Sequence, residues 1–150
     1  MKASKIIGLL ITIVQLTGTV AMVLGMYTMV SVFSTALPQG EGAIELEGAD
    51  PVIIPFSVNP SNPGYLDAEL SLSMSLVVEG DQVVASDSVE LIIPAQSQVP
   101  VDLELSLSQE TAMEYLMEGA DVEWVIDMQV TTLYDLISFS NTMTMSGGGQ

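Results

Sequence analysis

From Ile6 to Phe33 the chain runs for twenty-eight residues without a charge, IIGLLITIVQLTGTVAMVLGMYTMVSVF. As one α-helix this stretch is roughly 42 Å long, against roughly 30 Å of bilayer hydrocarbon, so it is long enough to cross a membrane with tilt. A helix in the core of a water-soluble protein carries a polar stripe on the side away from its neighbours. Here the polar residues are Thr12, Gln15, Thr17, Thr19, Thr28 and Ser31. A lipid-embedded helix satisfies such groups by bonding back to its own carbonyls or by facing a partner.

Charge placement gives the helix a direction. The two basic residues of the chain are Lys2 and Lys5, and all nineteen acidic residues lie from Glu41 onward. The positive-inside bias then keeps the N-terminus in the cytoplasm and exports the rest, a single-pass arrangement in the cell membrane with an extracytoplasmic β domain. The competing reading is a cleaved signal peptide, with Ser34-Thr35-Ala36 as a small-x-small cleavage site. The apolar region is about twice the usual signal-peptide length of roughly 7 to 15 residues, which favours an uncleaved anchor.

The remaining length suits one domain with a single core. The divisions expected are a cytoplasmic stub and anchor at 1–37, a linker at 38–42 around Pro38 and Gly40, a β domain at 43–145 and a flexible tail at 146–150. Cysteine is absent, which excludes disulfides, thiolate nucleophiles and cysteine-ligated metals. Histidine and arginine are absent too, removing the commonest general base, the commonest transition-metal ligand and the planar clamp for phosphate. With nineteen acids and no base after Lys5, the exported part repels nucleic acid and anionic headgroups.

Beyond the anchor the pattern alternates with period two. Ile44 and Leu46 alternate with glutamates, and Val52 to Val58 (VIIPFSV) reads as an edge strand because Pro55 cannot donate to a ladder. Leu66, Ala68, Leu70, Leu72, Met74, Leu76 and Val78 alternate with polar residues as a long, half-buried strand requires. A turn at Glu79-Gly80-Asp81-Gln82 leads to Val83 to Ala85 and a further strand from Ser88 to Ile93 that Pro94 stops, together a hairpin whose return strand is kinked. Gln98 to Leu107 alternates again. Ser108 reads as the N-cap of a short helix with Ala112, Met113, Leu116 and Met117 on its apolar side and Gly119 as its stop. A last hairpin pairs Val122, Trp124, Ile126, Met128 and Val130 with Ile137, Phe139, Met143 and Met145 through a turn near Leu133-Tyr134-Asp135. The fold class is therefore mainly β: an antiparallel β-sandwich of about seven strands and one short helix, preceded by one long transmembrane helix.

Several segments carry a family resemblance: Phe56-Ser57-Val58-Asn59-Pro60, the hairpin Leu76-Val77-Val78-Glu79-Gly80-Asp81-Gln82-Val83-Val84-Ala85-Ser86, and Ile92-Ile93-Pro94-Ala95-Gln96-Ser97. With the closing Ile137-Ser138-Phe139, they make residues 43 to 145 resemble the WHy (water stress and hypersensitive response) domain of the late-embryogenesis-abundant type. Residues 61–65 depart from the usual pattern with a second Pro and a Gly. The resemblance implies a non-enzymatic sandwich with a protective or scaffold role, and it carries over no catalytic or cofactor-binding residue.

Candidate sites are few. Asp67 with Glu69, Asp102 with Glu104, and Glu123 with Asp127 share strand faces and would suit a hard cation only if they converged. Exposed acids are ordinarily a solvated face, so no metal and no cofactor is expected. A glycosidase-type carboxylate pair would need an aromatic-lined cleft, for which aromatics are scarce. In the anchor, Thr17, Gly18, Ala21 and Gly25 form a small-residue stripe along which a second copy or a membrane-complex partner can pack. Lys2 and Lys5 orient the anchor. The partners expected are the lipid bilayer through residues 6–33 and, through the stripe, another helix; nucleic acid is excluded. The alternative function is a subunit of an exported filament or membrane assembly with bundled N-terminal helices.

Overall fold

The computed structural model describes residues 2–37, 50–78, 82–117 and 121–146. A single helix, α1 (Lys2–Thr35), is followed by β1 (Val52–Val58), β2 (Ser61–Asn62), β3 (Ala68–Val78), β4 (Gln82–Ile93), β5 (Ser97–Gln98), β6 (Val101–Leu107), α2 (Gln109–Ala112), β7 (Glu123–Thr132) and β8 (Ile137–Ser146). The strands make a four-stranded antiparallel sheet in the order β4-β3-β7-β8, a second sheet of β1 with β6, and a two-residue pairing of β2 with β5. The architecture is mainly β with antiparallel sheets, a long apolar N-terminal helix and a short second helix.

β3 is the centre of the larger sheet, and the sequence shows why. Its even-numbered residues, Ala68 through Val78, are all buried, while the odd-numbered ones alternate with them on the wetter face. In register, Leu72 stands between Val89 of β4 and Met128 of β7. The facing layer supplies Val52, Ile54 and Val58 from β1 and Val101, Leu103, Leu105 and Leu107 from β6, and the two sets form one core. Phe56 and Trp124 meet edge to face across it, with ring centroids 5.4 Å apart.

The return strand is one piece, not two. Leu76 pairs with Ala85 but Val77 with Val83, so Val84 is the extra residue of a bulge, and the polar run Ser86-Asp87-Ser88 stays within β4. Asp87 lies opposite buried Met74 and so on the core-facing side of this edge strand. Its Oδ2 accepts the Glu104 N–H at 2.9 Å and its Oδ1 the Ser88 N–H at 2.8 Å, which ties β4 to β6 of the other layer. The Glu104 N–H thus points away from β1. Glu104 is paired with Pro55, so at this position the ladder needs no N–H from β1, and the proline costs nothing.

Ser108 caps α2 as expected, accepting the Thr111 N–H at 3.1 Å, but the helix is a single turn continued by a π turn at Met113–Met117. Ala112 is buried, whereas Met113 is exposed, contrary to its expected place on the apolar side. Ser146 closes β8 rather than opening a tail. The strand expected around Ile44 and Leu46, the linker at 38–42, the turn residues 79–81, the stop at Gly119 and residues 147–150 lie outside the described residues.

Candidate functional site at the helix–sandwich junction

The last three turns of α1 differ from the rest. Gly25, Thr28, Val32 and Ala36, at spacings of three and four, are buried, with Met29, Phe33 and Leu37 half-buried beside them. Between Ser4 and Val20 the side chains are exposed all round. The helix therefore has a protein-facing side only where it meets the sandwich. These final turns pack in the same core as the strands.

Each contact has a local cause. Without a side chain, Gly25 lets α1 approach the β7–β8 end so closely that a Cβ there would lie 2.5 Å from Ile137 Cδ1 and 3.6 Å from Thr132 Cγ2. Phe33 packs edge-on against Phe139, ring centroids 5.0 Å apart at 88°. Thr35 Oγ1 accepts the Ser61 N–H at 2.8 Å and donates within the helix and toward Ser61 O, fastening the helix end to the loop before β3. That loop is itself fixed by Asn62, which is fully buried. Its Nδ2 donates to Leu66 O at 2.8 Å and Ile93 O at 3.0 Å, and its Oδ1 accepts the Gly64 N–H at 3.0 Å. Gln96, in left-handed geometry at φ 59, closes the other side through its Nε2 to Gly64 O at 2.8 Å. Against this cradle Thr28 is wholly buried, and its hydroxyl makes no hydrogen bond.

The sequence-predicted residues fall out as follows. Of the small-residue stripe, Gly25 is taken up by the chain's own sandwich, Ala21 is half-buried, and Thr17 and Gly18 are exposed, with nothing within 4 Å of a Cβ placed on Gly18. The carboxylate pairs do not converge: Asp67 and Glu69 flank the start of β3, Asp102 and Glu104 lie on β6 of the other layer, and Glu123 and Asp127 lie on β7. Several acids have local work instead, Asp67 Oδ1 accepting the Ala95 N–H at 2.9 Å, Asp102 Oδ1 the Ser57 hydroxyl at 2.6 Å and Asp127 Oδ1 the Thr142 hydroxyl. Among the described residues no three acids group closely enough to hold a metal. The hollow beside the helix end, about 370 Å³, is lined by Thr35, Leu37, Ser57, Val58, Asn59 and Gln98, none of which titrates in the physiological range.

Sequence reasoning missed Asn62, Gly64, Thr28 and Asp87. The first two sit in a stretch legible only as turn chemistry, and a threonine in an apolar helix gives no sign of what it faces.

An all-antiparallel two-layer body with an apolar helix docked at one end is the class these features define. No family model and no curated protein matches the chain. Among solved structures it is similar to a protein from Archaeoglobus fulgidus (10% identity, 76% of this chain and 98% of that chain, TM-score 0.47). It is also similar to a protein from Arabidopsis thaliana (12%, 73% and 77%, TM-score 0.43). A putative β-galactosidase from Bacteroides fragilis matches at 12% identity over 69% of this chain but only 15% of that enzyme, with a TM-score of 0.48. All three likenesses are distant, and the architecture rests on the strand pairing itself.

Proposed function

We propose that the chain is a single-pass membrane protein whose β-sandwich stands outside the cell, with a non-enzymatic protective or scaffold role of the WHy type. The observation that carries the anchor is the behaviour of α1 where it leaves the sandwich. From Ser4 to Leu24 it has one charge, Lys5, and Ile6, Leu9, Leu10, Val14, Leu16 and Val23 each keep more than half of their surface exposed. Those 21 residues make a rod of roughly 32 Å, close to the roughly 30 Å of a hydrocarbon core. The remaining helical turns are the docked ones, so the excess length read from the sequence has a place to go. Lys2 and Lys5 at the far end favour a cytoplasmic N-terminus. The scaffold role is supported by the WHy resemblance of residues 43 to 145.

The rival reading bundles these helices into the core of an exported assembly. The docked face from Gly25 to Ala36 is already occupied by the chain's own sandwich, which favours the anchor.

Because the chain has no cysteine, topology is directly testable. In intact cells an impermeant maleimide should label the Glu110→Cys variant and label Ala3→Cys only after lysis. The reverse pattern would overturn the orientation, and recovery of both variants in the medium would overturn the anchor.

A further inference from the structure

The β7–β8 turn is strained and apolar, and it lies at the level where α1 leaves the sandwich. Leu133, Tyr134 and Asp135 have φ of 56°, 53° and 64°, three consecutive left-handed residues of which none is glycine. Each costs about 1–2 kcal/mol relative to a right-handed conformation. The turn is closed by the Leu136 N–H donating to Leu133 O at 3.1 Å. What it displays is Tyr134, 96% exposed, and Leu136, 78% exposed, with Tyr65 at 70% sharing a hollow with Leu133 and Tyr134. A turn free to choose its residues avoids both the strain, by using glycine or asparagine, and the exposed apolar surface.

Its position gives the reason. The residues that flank the turn, Thr132 and Ile137, are the ones that meet Gly25. The turn therefore sits beside the point from which the 21-residue apolar rod departs. We infer that this end of the sandwich rests in the headgroup layer of the bilayer, with Tyr134, Leu136 and Tyr65 inserted at the interface beside the helix. Tyrosine suits that depth because its ring is apolar and its hydroxyl wet. Two anchor points, a helix and a turn beside it, hold the domain upright where a helix alone would let it tilt. Asp67 and Asp135 border the same end and repel anionic lipid, so the surface it fits is a zwitterionic one. This inference rests on the membrane-anchoring reading.

The test uses the full chain in phosphatidylcholine vesicles carrying lipids brominated near the top of the acyl chain. The native Trp124 is the internal control: it lies eight residues up β7 from Thr132, roughly 27 Å away along the strand, and should not be quenched. In a Trp124→Phe background, Tyr134→Trp should give blue-shifted emission that the brominated lipid quenches. Leu136→Trp in the same background should behave alike, which guards against a local fault at the left-handed position. Replacing phosphatidylcholine by phosphatidylglycerol should lessen quenching at both sites. A chain that floats with vesicles and keeps its β circular dichroism, yet shows no quenching at either site, overturns the inference alone. A chain that does not float overturns the anchoring reading and this inference with it.

Discussion

At the scale of single residues, the junction depends on side chains that are absent or short. A Cβ on Gly64 would lie 2.0 Å from Thr28 Oγ1 and 2.9 Å from Asn62 Oδ1, both held in a buried cradle that cannot give way cheaply. Gly64→Ala should therefore lower stability by about 1–3 kcal/mol, as overpacking does. Gly18→Ala, with open space around it, should leave the same thermal melt unchanged. If the two variants melt alike, the loop does not press on α1 as described. Thr28 offers the opposite sign. A buried hydroxyl without a partner costs about 1–3 kcal/mol, and valine keeps the shape while removing the polar atom. Thr28→Val should stabilise the protein or be neutral in a denaturant titration; a loss above about 1 kcal/mol would mean the hydroxyl has a partner.

At the scale of elements, α1 changes its role along its length, and its last turns complete the core. Val32 and Ala36 are fully buried and Phe33 covers Phe139 of β8. A truncated chain beginning at residue 40 should thus unfold at lower urea than one beginning at Leu24, by about 3–5 kcal/mol from the lost apolar burial, an upper range because unfolded chains bury some of that surface too. Equal midpoints would show the helix end to be dispensable. The strands were legible beforehand because alternation is a direct imprint of a half-buried sheet, and Leu70 to Val78 could hardly be read otherwise. The docking of α1 was not, since an apolar residue looks the same whether it faces lipid or protein. Nor was the unity of β4: Ser86-Asp87-Ser88 breaks the alternation, and only the partner N–H of Glu104 explains a carboxylate on the core-facing side.

At the scale of the whole molecule, charge is segregated as sharply as hydrophobicity. Two lysines precede the apolar rod and nineteen acids follow it, so the formal charge is 2 − 19 = −17 overall and −19 for the part beyond the rod. Carboxylates distributed over both layers repel one another weakly at many sites, a term that salt screens with a Debye length of about 10 Å at 0.1 M. A chain beginning at Leu24 and held at neutral pH should therefore gain thermal stability gradually as monovalent salt rises. Divalent ions add a second question, because a cation that binds only the folded state stabilises it saturably by mass action. With Asp67 just before β3, Asp102 on β6 and Asp127 on β7, each engaged by a neighbouring donor, no such site is provided among the described residues. Calcium and magnesium titrated at fixed high ionic strength should then shift the melting temperature equally and without saturation. A shift of several degrees that saturates at micromolar calcium, and not with magnesium, would show that acids from separate strands do converge on an ion, and would replace the solvated-surface account with a metal-dependent one.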